Sequence, residues 1–362
     1  MNKAVHDKPS AGELSARISD LRRELGQRVC ILAHHYQKDE IVAQADFVGD
    51  SLKLSQIAAG QNSQYIVFCG VHFMAESAEI LAGENQTVVM PKTSAGCDMA
   101  DMATADDMAA AIEILQKLDN GKHRVIPVTY VNSTAAVKAV TGQYGGSCCT
   151  SSNAGQVVRW AMEQAGESGK IIALPDQHLI RNTAFQLGFT EDDICMFDHE
   201  MPEGGIDAST FRRSKFILWP GYCYVHQKFT PKHISAVRKE HPDVKVVVHP
   251  ECPHEVVELA DMAGSTEMMM SAINGSPAGS CWAVGTESTF VGRLAKNNPD
   301  KTVLNLNPQK SFCEQMGKTD LVSLKNCLEA ILGQKKSAGI IEVPYEEAVN
   351  ARKALEKMIS IV

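Results

Sequence analysis

The sequence predicts an α/β protein built from three similar parallel-sheet units. Three observations carry that expectation. Short apolar runs rich in β-branched residues alternate with segments of helical spacing, the pattern of parallel strands joined by helical crossovers. A polar motif at the end of each unit's first strand begins at His34, Tyr130 and His249, and a Ser or Thr at a helix start follows 17, 21 and 17 residues later, at Ser51, Ser151 and Thr266. One cysteine then stands just beyond the last strand of each unit, at Cys97, Cys223 and Cys313, which are 63, 93 and 64 residues after the first-strand residue. A period of about 100 residues is a domain repeat, not a solenoid. The expected units are 1–118 (with an N-terminal helix), 119–218, whose last strand leads to Cys223, and 219–362, which includes two closing helices.

In the first unit, residues 12–27 have apolar positions at helical spacing among many charges and read as an amphipathic helix. Val29 to Ala33 is a buried strand that runs into His34-His35-Tyr36. DEIVAQADFV reads as helix, and GDSLKLSQIAA begins another with Asp50 or Ser51 as N-cap. YIVFCGVH is a strand, FMAESAEILA a helix, TVVMP the strand leading to Cys97, and DMATADDMAAAIEILQKL a closing helix.

In the second unit, Val125 to Thr129 is the strand that delivers Tyr130-Val131-Asn132. STAAVKAV is helical. TGQYGGSCC is a glycine-rich loop, readable as a mobile lid or as an inert insertion. TSSNAGQVVRWAMEQA is a helix with Thr150, Ser151 or Ser152 at its start, and GKIIALPDQHLI and KFILWP are strands. In the third unit, Val244–Val248 delivers His249-Pro250-Glu251, VVELADMA is helix, and a second helix begins near Ser265-Thr266. Cys281–Val284 and TVLNL are the remaining strands, and DLVSLKNCLEAIL and PYEEAVNARKALEKMI the closing helices.

Composition narrows the function. With 362 residues, 44% apolar and 22% charged, the chain is long enough for two or three globular domains. A net charge of −8 without a basic run argues against nucleic acid as a partner. No apolar run approaches the roughly 20 residues of a membrane span, and the polar N-terminus has no signal-peptide core. A cytoplasmic protein without a membrane partner is therefore expected. Eleven cysteines, an odd number, fit reduced thiols better than a disulfide framework.

Parallel sheets bind ligands beyond the carboxyl ends of their strands. The three polar motifs and the three cysteines all fall at such ends. If the units pack about a pseudo-threefold axis with those ends inward, one central cavity receives them all. Three thiolates from distant segments could bind zinc or a [4Fe–4S] cluster. No CxxC pair occurs, which disfavours zinc. A cluster with three cysteine ligands leaves one iron open to act as a Lewis acid. His34 or His35, Tyr36, Tyr130, Asn132, His249 and Glu251 are suited to proton transfer and hydrogen bonding. Ser51, Ser151 and Thr266 at helix starts make an anion site without lysine or arginine, and each is also an ordinary capping residue. His226 either reaches the cluster or completes its turn. Cys252 has no counterpart in the repeat and reads as structural.

These motifs resemble the quinolinate synthase family. The matching stretches are AHHYQ at 33–37, GDSL at 49–52, AGCDMAD at 95–101, YVN at 130–132, TSSNA at 150–154, WPGYCYVH at 219–226, HPEC at 249–252, GST at 264–266 and the Cys313 segment. The resemblance implies three α/β domains related by pseudo-threefold symmetry, with the active site at their junction. It also implies a [4Fe–4S] cluster on Cys97, Cys223 and Cys313, and condensation of iminosuccinate with dihydroxyacetone phosphate to quinolinate in NAD biosynthesis. Carried over by position, His34, Ser51, Tyr130, Val131, Asn132, Ser151, His249, Pro250, Glu251 and Thr266 contact substrate, and Tyr36, Glu251 and His34 are catalytic. The enzyme that supplies iminosuccinate is the implied protein partner. The chain departs from some family members in lacking a CxxCxxC run near its last ligand. The length of its glycine loop leaves Ser151 and Ser152 as alternatives.

Overall fold

Strand β1, Val29–His34, is buried at every position, as an aliphatic strand must be when both faces of its sheet are covered. The computed structural model describes residues 9–118, 120–333 and 339–361. Its first sheet contains β1, β2 (Phe47–Gly49), β3 (Tyr65–Cys69) and β4 (Thr87–Val89), in the order β2-β1-β3-β4. The second contains β5 (Val125–Tyr130), β6 (Ser147–Cys149), β7 (Lys170–Leu174), β8 (Ile194–Met196) and β9 (Phe216–Leu218), in the order β6-β5-β7-β9-β8. The third contains β10 (Lys245–Val248), β11 (Met262–Ala263), β12 (Cys281–Gly285) and β13 (Thr302–Asn305), in the order β11-β10-β12-β13. Every pairing within the sheets is parallel. The protein is thus an α/β chain of three similar parallel-sheet units. The middle unit differs by one extra strand, β8, within the longer segment near 190–213.

Three elements of the sequence reading are corrected. Each unit has a short edge strand, β2, β6 or β11, where helix or loop was expected. Two or three residues are too few to show a period of two, so only their partner strand reveals them. TGQYGGSCC is not a lid: Gln143 ends a helix, and Ser147–Cys149 are buried as β6. The middle helix starts later than expected, at Ala154 after Asn153.

The edge strands explain the repeated spacing. His34 pairs with Gly49, Tyr130 with Cys149, and Val248 with Ala263. Two or three residues beyond each edge strand come Ser51, Ser151 and Thr266. The register therefore sets each hydroxyl residue beside the polar motif of its own first strand. At the first and third of these starts the caps are Asp50, whose Oδ1 accepts from Lys53 N–H (3.0 Å), and Ser265, whose Oγ accepts from Met268 N–H (3.4 Å).

One apolar core runs through the first two units and takes in Leu32, Phe68 and Val128 together with Ala354 and Leu355 of the last helix. That helix, Tyr345–Ser360, packs on helices Ala135–Gln143 and His72–Leu81. A Cβ on Gly142 would lie 1.9 Å from the Asn350 carbonyl oxygen, so only glycine permits this approach. Helix Leu321–Ile331 packs on helix Ala11–Leu25. Both closing helices thus cover the first and second units although they follow the third in the chain. The third unit has apolar clusters of its own around Val246 and Val284. Arg293 joins it to the first unit, donating to the Gln37 carbonyl (3.0 Å), the His35 carbonyl and Asp39 Oδ1 (2.9 Å). No described helix is long and apolar enough to cross a membrane.

Candidate active site

Side chains alternate along an extended chain, and that alternation builds the site. In each strand-end motif the first and third residues line one central cavity: His34 and Tyr36, Tyr130 and Asn132, His249 and Glu251. The middle residues are directed elsewhere. His35 Nε2 lies 2.9 Å from Glu267 Oε1. Val131 is buried, its N–H bonded to the Cys149 carbonyl (2.8 Å). The Pro250 carbonyl accepts from Asn182 Nδ2 at 2.8 Å. Val131 and Pro250 therefore do not line the cavity, and of the two adjacent histidines His34 does.

The cavity encloses about 740 Å³, counted to its open mouth, and also receives Ser51, Ser151, Thr266, Cys97, Cys223 and Cys313. Ser152 is engaged with Asp50 Oδ2 at 2.5 Å, which leaves Ser151 as the hydroxyl facing the space. Among the described residues no lysine or arginine lines it. Val71, Phe73 and Met74 form an apolar wall that the motif search missed; they lie in or beside the helix after β3 and carry no polar signal.

The cysteines arrive on three loops with a common build. The sulfur of Cys97 accepts from the backbone N–H groups of Met99 and Ala100, that of Cys223 from His226, and that of Cys313 from Gln315 and Met316. Burial pushes each thiol up; Cys313 adds to the rise at Cys97, and Glu251, Cys313 and Cys97 add to it at Cys223. Gly221 lets the Cys223 turn lie against the Pro175 carbonyl, 2.3 Å from where its Cβ would stand.

Among the described residues, the triad of possible ligand atoms lying within 4.8 Å of one another is Cys223, His226 and Glu251. Cys97, Cys223 and Cys313 do not form such a triad among the described residues. An all-sulfur set on three loops, with backbone donors at each sulfur, suits a thiolate-bound iron–sulfur cluster.

A buried hydrogen-bond chain runs beside the cysteines. Tyr36 OH lies 2.7 Å from Thr286 Oγ1, which lies 3.0 Å from His226 Nε2. On its other side, His226 Nδ1 lies 2.5 Å from Glu251 Oε2, and Glu251 is also hydrogen-bonded to Tyr130. The His226 ring stacks on His249 at 4.4 Å with an interplanar angle of 12°. His226 is thus the centre of this chain, and its ring also lies close to the Cys223 sulfur. Sequence reasoning missed Thr286. It follows directly after β12, so the strand-end rule that marked the other positions would have found it.

Charge states follow from burial. Burial, then the Glu251 charge, pushes the Tyr36 and Tyr130 hydroxyls well up, so both remain protonated donors. Burial, then His35, Arg293 and His249, pushes His34 well down, while the Glu251 charge opposes. Burial, then His226, brings His249 down to about 3 against the pull of Glu251. Burial alone would raise Glu251, but His226 and His249 with the bonds from His226 and Tyr130 hold it at about 2. The Tyr36 N–H donates to His34 Nδ1 at 3.1 Å and the Glu251 N–H to His249 Nδ1 at 3.4 Å. Both neutral imidazoles therefore carry their proton on Nε2. Near neutral pH Glu251 gives the cavity a carboxylate, Tyr36 and Tyr130 give phenol O–H groups, and His34 and His249 give Nε2–H donors. The Asn132 amide oxygen is buried without a partner, leaving an unused hydrogen-bonding position in the wall.

Comparison with known proteins gives one answer along the whole chain. Residues 16–360 match the family model described as quinolinate synthetase A protein. A quinolinate synthase of Listeria monocytogenes is 46% identical over 355 residues, covering 96% of this chain and 94% of the relative. One of Anoxybacillus flavithermus is 46% identical over 352 residues, covering 97% and 94%. One of Bacillus subtilis is 45% identical over 353 residues, also covering 97% and 94%.

Proposed function

The chain belongs to the quinolinate synthetase A family, and from that membership we propose that it is a quinolinate synthase condensing iminosuccinate with dihydroxyacetone phosphate, with release of phosphate and water, in de novo NAD biosynthesis. The observation that carries the reading is the meeting of three strand-end motifs and three cysteines in one cavity.

Iminosuccinate is a dicarboxylate. The cavity suits it through the hydroxyls of Ser51, Ser151 and Thr266 and the Nε2–H donors of His34 and His249. Orienting a dianion with neutral donors in a space without lysine or arginine keeps it exchangeable, because no full counter-charge holds it there. The amide of Asn132 supplies a further polar contact. Val131 and Pro250, which are absent from the cavity lining, position the residues on either side of them.

Cys97, Cys223 and Cys313 would hold a [4Fe–4S] cluster with one iron free of protein ligands. When bound, the cluster supplies Lewis-acid polarisation of a substrate oxygen or nitrogen. The protein's own part is proton handling. Glu251 is ionised and accepts protons, and His226 takes one from Thr286 or returns it along the chain to Tyr36. Tyr36, kept protonated by burial, delivers a proton to a departing oxygen. Tyr130 steadies Glu251 in its charged form. Iminosuccinate hydrolyses in water, which favours direct supply by the enzyme that makes it, in the cytoplasm.

The test is anaerobic purification with iron and sulfide analysis, followed by assay with iminosuccinate generated in place and dihydroxyacetone phosphate. The expected result is a cluster-loaded protein that forms quinolinate. A loaded protein that forms none would overturn the reading.

A further inference from the structure

The three cysteine loops are built alike but joined unlike. Gln315 ties the third loop to the first: its Oε1 accepts from the Gly96 N–H at 3.2 Å, and its Nε2 donates to Asp98 Oδ1 at 3.1 Å. Lys318 reinforces the join, donating to Gln315 Oε1 (2.6 Å) and the Ser94 carbonyl (2.8 Å). None of these bonds ends on sulfur. The second loop is tied to the third by Tyr224, the residue after Cys223. Its hydroxyl oxygen accepts from the N–H of Glu314, the residue after Cys313, at 2.8 Å. Lys228 Nζ sits 4.8 Å from the centre of its ring and holds the ring over this contact. A hydroxyl that accepts one bond still has its own hydrogen to give. The contact with Glu314 sets this hydroxyl beside Cys313, and Tyr224 and Cys313 both line the cavity; burial raises the proton affinity of the Cys313 thiol and the Tyr224 hydroxyl works against that rise.

The sulfurs are therefore not equivalent. Neighbouring backbone N–H groups lower the proton affinity of all three thiols against the rise from burial, but only Cys313 has a side-chain hydroxyl, that of Tyr224, held at the N–H of its next residue. Hydrogen bonds to a ligand sulfur draw electron density from a cluster, favour its reduced form and raise its potential.

We propose that Tyr224 is a positioning residue that donates its hydroxyl hydrogen to the Cys313 sulfur, fixing that ligand and raising the reduction potential of the bound cluster. The inference rests on the reading that Cys97, Cys223 and Cys313 hold a [4Fe–4S] cluster.

The test compares wild-type protein with Tyr224→Phe, each loaded anaerobically with iron and sulfide. The variant keeps the ring and loses only the hydroxyl. Equal iron content, a more negative midpoint potential and shifted iron–cysteine stretching bands in resonance Raman spectra are expected. Equal potential and unchanged bands at full iron content would overturn the inference. If the variant does not load, its iron-free form decides: a wild-type melting temperature supports a hydroxyl needed to seat Cys313, and a lowered one overturns the inference by assigning Tyr224 to structure alone. Wild-type protein that takes up no iron and sulfide would instead overturn the cluster reading, and this inference with it.

Discussion

His226 and Glu251 form a buried pair, with Nδ1 and Oε2 2.5 Å apart and each residue less than 3% exposed. Few groups compete for the pair: the free ring nitrogen meets Thr286, and Tyr130 bonds the carboxylate. His226→Ala would strand the Glu251 charge in the interior. Breaking a buried pair from one side costs about 3–5 kcal/mol, and loss of a positioned proton carrier costs roughly 10²–10⁴-fold in rate. Denaturant melting of the iron-free protein should show the first loss and turnover of the loaded protein the second. Wild-type values in both would remove the pair from stability and mechanism alike.

Thr286 is the link between the Tyr36 hydroxyl and the His226 ring. Thr286→Val keeps the shape and removes the oxygen, leaving two buried groups short of a partner, at about 1–3 kcal/mol each. The expected outcome is unchanged iron content and turnover reduced by roughly one to two orders of magnitude, recovered by Thr286→Ser. Tyr36→Phe should likewise keep its iron and lose turnover, by roughly 10²–10⁴-fold. A Thr286→Val enzyme with wild-type turnover would show that Tyr36 and His226 act independently.

Much of this site can be read from the chain because its motifs lie at strand ends, where sequence and position coincide. His34, Tyr130 and His249 each follow an apolar run, and the cysteines recur at matching distances. The same reasoning could not see that alternation turns Val131 and Pro250 away, because that depends on how the chain leaves its strand. Nor could it see the edge strands, whose two or three residues form only by pairing with a buried neighbour. The seat of the last helix on the first two units is set by a close approach at Gly142, a tertiary contact with no local signature.

Acid should loosen the fold through the cavity's histidines. His34 and His249 are buried and neutral, with proton affinities lowered in the fold. Unfolded, each takes up a proton near pH 6.5. The unfolded chain therefore binds more protons below that pH, so stability is full above about pH 6.5 and falls as pH drops, by at most about 1.4 kcal/mol per unit for each group. His35, Arg293 and Glu251 face His34 as well, and Glu251 stays ionised throughout this window. Denaturant melting of iron-free protein between about pH 5 and 7.5 should show this slope, and His34→Gln should flatten it by one histidine's share. An equal slope in the variant would mean that His34 is protonated in the fold.

The cysteines separate by position, not by burial. Cys252 is fully buried, its sulfur 3.8 Å from the Gly285 carbonyl oxygen, and it does not line the cavity. Cys97, Cys223 and Cys313 are half-buried and do line it. If burial decided iron binding, Cys252 would rank above all three. If convergence decides it, Cys97→Ala, Cys223→Ala and Cys313→Ala should each lose the cluster. Cys252→Ala should keep its iron and lose only about 1 kcal/mol of packing. Iron and sulfide analysis of the four proteins, loaded side by side, reads the difference directly. Full iron content in any of the first three would remove that cysteine from the ligand set.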